Sequence, residues 1–200
     1  MKLIWLTGTV MAGSLVCGGC LQEPTAKWLR ETTMSRDNGP FGASTEYADL
    51  RAMRLSAADL AELVGRGGEC VFAWTTKAAD PMAVMVSYVY RDDKFWTTSV
   101  ATRARIQALA ARPQSAIVLN NGGHSATFKG LPTLHRHGDQ DWGDIASWFL
   151  PALAGTDCRP NHPIAQQFER SLNTAHQVIV ETTAELVVSF DFNKLAGGPH

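Results

Sequence analysis

Between residues 70 and 98 three β-prone runs follow one another with almost no connecting chain. Cys70–Thr76 (CVFAWTT) is apolar and rich in β-formers, and Lys77–Pro81 supplies a turn. In Met82–Tyr90 (MAVMVSYVY) the residues alternate, with Val84, Val86, Tyr88 and Tyr90 on one face and Met85, Ser87 and Val89 on the other. Arg91-Asp92-Asp93 then forms a hairpin connection into Lys94–Thr98. Connections this short force antiparallel pairing, because a parallel pair needs a crossover of about a dozen residues.

More β-structure follows. Ser115–Leu119 reads as a buried strand, Asn120-Asn121-Gly122-Gly123 as a hairpin turn, and Ser125–His135 as the returning strand. Gly130 in its middle marks a bulge or a close backbone approach. Gln177–Val180 and Leu186–Phe192 read as two closing strands. Helices punctuate the series. Ser56 and Asp59 make a capping box, Leu55 and Leu60 a hydrophobic staple, and Gly65 closes that first helix. Thr102 is placed to cap a helix through Ala111, ended by Arg112-Pro113, with Ile106, Leu109 and Ala110 on its apolar face. Asp141 is placed to cap another through Ala154 that buries Trp142, Ile145, Phe149 and Leu153, and Pro163–Leu172 forms the last. The fold class expected is mainly β: about six antiparallel strands closing a small barrel, with flanking helices.

The barrel domain spans 55–195, with 1–54 as leader or extension and linker and 196–200 as tail. A net charge of −1 gives no electrostatic footprint for nucleic acid. Lys2 and the apolar run from Leu3 to Val16 resemble an export or lipoprotein leader, whereas Met34-Ser35-Arg36-Asp37 resembles a polar cytosolic start. A start at Met34 makes the protein cytoplasmic; a leader makes it exported or lipid-anchored. Cys17 and Cys20 form a C-x-x-C with no second pair to complete a zinc site, and Cys70 reads as a small buried hydrophobe.

Chemistry concentrates in Phe95-Trp96-Thr97-Thr98-Ser99-Val100-Ala101-Thr102-Arg103-Ala104-Arg105. Here a strand end carrying hydroxyls runs into a helix opened by two arginines. Hydroxyls, free backbone N–H groups and guanidinium forks are what a phosphate needs. Thr97, Thr98, Ser99, Thr102, Arg103 and Arg105 are the candidate phosphate ligands. The structural alternative makes the hydroxyl residues β-formers and caps, with both arginines on a solvated helix face. No nucleophile–base pair and no catalytic acid or base stands out.

This order of elements resembles the pyridoxamine 5′-phosphate oxidase-like family. The resemblance rests on the strand with Thr97-Thr98, the Thr102-Arg103 pair, Arg112-Pro113 before a buried strand, Thr127-Phe128-Lys129-Gly130, and Val187-Val188-Ser189-Phe190-Asp191-Phe192. It implies an FMN-binding split barrel and a homodimer with the cofactor in a groove between subunits. It also implies that Val84, Met85, Val86 and Ser87 pass along the flavin ring through backbone contacts, and that the Thr97–Arg105 segment holds the phosphate. Where the vitamin B6 oxidases of the family carry Arg, Lys and Gln, this chain has Val84, Ala104 and Ser125. The implied activity is therefore hydride transfer to a small organic substrate by a flavin- or deazaflavin-dependent oxidoreductase. A non-catalytic flavin- or haem-binding protein of the same fold is the alternative.

His135 and His137 alternate onto one strand face with His124 across the hairpin, and imidazoles so spaced can converge on a metal or haem. With no carboxylate or cysteine pattern beside them, they read as a polar strand face and no metal site is assigned. Trp74, Trp96, Trp142 and Trp148 read as core.

Overall fold

The computed structural model describes residues 51–194. The N-terminal run, Cys17, Cys20, the Met34 start and the tail lie outside the described residues. Six strands close a barrel in the order β1-β2-β3-β6-β5-β4, with every pairing antiparallel. They are β1 (Gly68–Thr75), β2 (Pro81–Arg91), β3 (Lys94–Val100), β4 (Ser115–Asn121), β5 (His124–Arg136) and β6 (Gln177–Asp191). Around them lie α1 (Ala57–Gly65), α2 (Ala104–Ala111), α3 (Trp142–Ala154) and α4 (Pro163–Leu172).

Local chemistry sets the turns. Asp92 and Asp93 take φ of 55° and 59°, and Gly122 and Gly123 take 56° and 94°. Pairs of left-handed residues make turns whose twist matches that of the strands they join. The capping box forms in full: Ser56 Oγ accepts from the Asp59 amide, and the Asp59 carboxylate accepts from the Ser56 amide. Gly65 is the last residue of α1 rather than its terminator; the left-handed backbone comes at Gly67.

Strand alternation then sorts the side chains. Phe72, Phe95, Ile117, Phe128 and Val180 fill the barrel, and Leu60, Leu63 and Val64 of α1 with Ile106 and Leu109 of α2 join that core. Tyr88 points inward, its hydroxyl donating to the Val64 carbonyl at 3.1 Å. A second cluster lies outside the barrel. There Trp96 of β3 and Ile179 of β6 are covered by Trp142, Phe149 and Leu150 of α3 and Leu172 of α4.

Two further sequence expectations change, and one holds. The two closing strands are one, β6, because Thr182 between them is fully buried and keeps the alternation running. Its register against β5 shifts between Lys129 and Gly130. There a Cβ on Gly130 would sit 2.0 Å from the Thr183 carbonyl oxygen, so the expected close approach is real. Asp141 precedes α3 with helical backbone angles and makes no side-chain cap. Its carboxylate instead lies 2.7 Å from His135 Nδ1. Among the described residues no helix is long and apolar enough to cross a membrane.

Candidate functional site

β2 and β3 stay paired for only three positions, Val89–Trp96, Tyr90–Phe95 and Arg91–Lys94. Beyond that point β2 follows β1 and β3 follows β6. The barrel is therefore split along one seam. The Val84–Ser87 backbone forms one lip, with ladder partners in β1 alone, and Thr97–Val100 forms the other. The seam brings together the two segments singled out from the sequence.

Alternation divides the candidates on each lip. Val84 and Val86 pack inward on the barrel core, while Met85 and Ser87 face outward, with Met85 59% exposed. The four side chains do not line one surface; what they share is the open backbone edge. On the other lip Thr97 and Ser99 are buried. Thr98 Oγ1 donates to the Val178 carbonyl at 3.0 Å and accepts from Gln177 Nε2 at 2.6 Å.

Thr102 does not cap α2. The cap position is Arg103, with no side-chain cap bond, and its amide donates to the Val100 carbonyl at 2.9 Å. That turn displaces the hydroxyl by one residue, and Thr102 and Arg103 are both exposed. Arg105 does not lie on the solvated face that the structural alternative gave it. Its Nε donates to Ser99 Oγ at 3.0 Å and its Nη2 to the Thr98 carbonyl at 2.7 Å. The guanidinium carbon lies 6.0 Å from the centre of the Phe72 ring.

Burial, and next to it the Arg103 charge, lower the Arg105 pKa from its ordinary value. No carboxylate lies within ion-pair distance of either arginine among the described residues. A half-buried cation beside a second cation, at a helix start whose first amides lack intrahelical acceptors, is a site short of negative charge. Burial pushes the Cys70 thiol up to about 12, so it stays a neutral core group.

No family model matches the sequence, and no curated protein matches it. Solved structures do. A conserved hypothetical protein from Mycobacterium tuberculosis superposes with a TM-score of 0.57 at 19% identity, over 74% of this chain and 91% of that one. A protein from Bacteroides thetaiotaomicron named for 5-nitroimidazole antibiotic resistance superposes with a TM-score of 0.53 at 11% identity, over 68% and 84%. HutZ, the heme storage protein from Vibrio cholerae, superposes with a TM-score of 0.50 at 11% identity, over 70% and 95%. What the chain shares with these structures is the fold, a six-stranded antiparallel barrel with flanking helices.

Two features of this split barrel were missed in the sequence. Gln177 is buried and braces Thr98. Its only sequence signal is a polar residue opening an apolar strand. His135 is also buried, with Nδ1 2.7 Å from Asp141 and Nε2 3.1 Å from Glu181. Glu181 in turn pairs with Lys94 at 2.6 Å, and the imidazole stacks on Trp96 with centroids 5.9 Å apart. The expected polar strand face is thus the seat of α3. His137 packs near Trp142 and His124 lies 3.5 Å from Asp191. Among the described residues no cluster of His, Cys, Asp and Glu is arranged to hold a metal ion.

Proposed function

We propose that this protein binds FMN, or a deazaflavin carrying a phosphate, in the seam between β2 and β3 and acts as an oxidoreductase on a small organic substrate. One observation carries the reading: Arg105 is half-buried with a second arginine beside it and, among the described residues, no carboxylate partner. A phosphate supplies the missing charge through charge-assisted hydrogen bonds. Arg103, Arg105 and the first amides of α2 would hold it. Thr98 and Ser99 act by fixing the guanidinium, since the Thr98 carbonyl and the Ser99 hydroxyl both accept from Arg105. The free β2 edge at Val84–Ser87 offers main-chain donors and acceptors to a planar polar ring.

A bound flavin would supply hydride transfer; the chain supplies anchorage, orientation and a partly water-excluding wall. The outer surface supports a homodimer. Met85, Val71, Val118, Thr127 and Val188 align across five strands on one outward face, with Met85 59% and Val188 52% exposed. A second copy seated there would flank the Met85 lip, putting the cofactor groove between subunits. Fluorescence titration of the full chain with FMN tests the reading, with saturable quenching expected. No flavin uptake, with a Soret band on haem addition, would replace it with the haem-binding alternative.

A further inference from the structure

The turn that joins α4 to β6 reaches back to the β3 lip of the seam. It is closed on itself: the Thr174 amide donates to the Leu172 carbonyl at 3.0 Å, and the Gln177 amide to the Thr174 carbonyl at 3.0 Å. Two bonds leave it for the lip. The Ala101 amide donates to the His176 carbonyl at 2.8 Å. Gln177 Nε2 donates to Thr98 Oγ1 at 2.6 Å, between residues 79 apart in the chain. The Thr98 hydroxyl hydrogen goes to the Val178 carbonyl at 3.0 Å, so the carboxamide supplies the donor that this oxygen still lacks.

These bonds fall where β3 is weakest. Past Trp96 it has lost β2 and keeps β6 alone, and its last ladder pair is Val100–Gln177. A strand end held from one side is where a ladder opens first. Thr98 and Ala101 are the two anchors, and every acceptor that fixes the arginines lies on the stretch they hold. The Thr98 carbonyl accepts from Arg105 Nη2 at 2.7 Å, and Ser99 Oγ accepts from Arg105 Nε at 3.0 Å. The Val100 carbonyl accepts from the Arg103 amide at 2.9 Å. Gln177 itself is only 5% exposed at the head of an apolar strand. A carboxamide is costly to bury there unless it is bonded, and Thr98 is what its amide group holds.

We propose that Gln177 is a positioning residue for the phosphate clamp. It acts through Thr98 rather than on the phosphate, fixing the strand end on which Arg105 and Arg103 are set. The inference rests on the flavin reading and adds to it: Gln177 governs how far the site prefers a phosphorylated cofactor over the same ring system without phosphate. Charge-assisted bonds from a guanidinium fork depend on its alignment, whereas contacts of a ring with the β2 edge do not.

Fluorescence titration of the full chain with FMN and with riboflavin tests it, since the two probes differ by the phosphate alone. The wild type should bind FMN about tenfold or more tighter than riboflavin. Gln177→Leu should cut that preference about fivefold or more and leave riboflavin affinity within about twofold, whereas general loosening would weaken both probes together. Thr98→Val removes the other partner of the same bond and should do likewise. The double variant should be within about twofold of the weaker single variant, because the two changes break one interaction. Thr98→Val carries the test if Gln177→Leu melts early. Equal wild-type affinity for the two probes overturns the phosphate reading and this inference with it. Where the wild type prefers FMN, the positioning role alone is overturned by an unchanged preference in both single variants, by equal loss of both probes, or by additive losses in the double variant.

Discussion

Arg105 Nε lies 3.0 Å from Ser99 Oγ, tying the first turn of α2 to the last residues of β3. The bond separates two arginines that look alike in the sequence: Arg105 is held and half-buried, Arg103 exposed. Arg103→Ala should weaken FMN binding by about 1.5–3 kcal/mol, one charge-assisted contact, and leave the melting temperature unchanged. Arg105→Ala should weaken it at least as much and also lower the melting temperature, since Ser99 Oγ and the Thr98 carbonyl lose their donor. Parallel titrations and thermal melts check the split. Equal melting of the two variants would contradict the structural role given to Arg105.

His135 should matter to stability more than a strand-face histidine would. His135→Ala removes both contacts to the Asp141 and Glu181 carboxylates and empties the space beside Trp96. A loss of about 2–4 kcal/mol follows from the missing bonds and the cavity. His135→Gln, which can retain a bond to one carboxylate, should cost less. Urea denaturation monitored by tryptophan fluorescence orders the three proteins.

The barrel was legible because its signals are local. Alternation over Met82–Tyr90, the Asp92-Asp93 and Gly122-Gly123 turns and the Ser56–Asp59 box each sit within a few residues of chain. The candidate site was legible as a segment but not as a geometry. Arg105 shares a helix face with Leu109, yet a charged residue is ordinarily placed in solvent, and its acceptors come from the preceding strand. The His135–Glu181 contact joins residues 46 apart, a separation no spacing rule reaches. The two closing strands expected at Gln177–Val180 and Leu186–Phe192 are one, because the polar interval 181–185 between them includes Thr182, which lies fully buried and continues the strand.

Gly130 and Gly143 should respond oppositely to the same change. A Cβ at Gly130 meets the Thr183 carbonyl oxygen at 2.0 Å, backbone against backbone, whereas one at Gly143 in α3 meets nothing within 4 Å. Gly130→Ala should cost about 3 kcal/mol or more, because the β5–β6 register must shift to admit the methyl. Gly143→Ala should stabilise by about 0.5–1 kcal/mol through helix propensity. Denaturation midpoints of the pair decide it.

The α1 cap should be pH-dependent. The Ser56 hydroxyl bond lowers the Asp59 pKa from its ordinary value, so folding favours the ionised carboxylate. A carboxylate depressed in the folded state contributes stability above its unfolded pKa of about 4, and that contribution is lost as pH falls through the lower folded value. Ser56→Ala should therefore cost about 1 kcal/mol near pH 7 and less in acid, once Asp59 is protonated in wild type as well. Equal costs across that range would rule out the carboxylate's part in the cap.

The outward row across β2, β1, β4, β5 and β6 predicts the assembly state. Val118 is central in that row, in register with Val71 on one side and Thr127 on the other. Its side chain points away from the barrel core, so Val118→Asp should leave the monomer fold intact. In a dimer built on this face the new carboxylate would be buried against its own symmetry mate, and like charges so placed cost several kcal/mol. Analytical ultracentrifugation should show a wild-type dimer and a Val118→Asp monomer with unchanged circular dichroism. If the groove between subunits holds the cofactor, the monomer should also bind FMN more weakly while keeping Arg103 and Arg105 in place. A wild-type monomer, or a Val118→Asp dimer, would remove this face from the assembly.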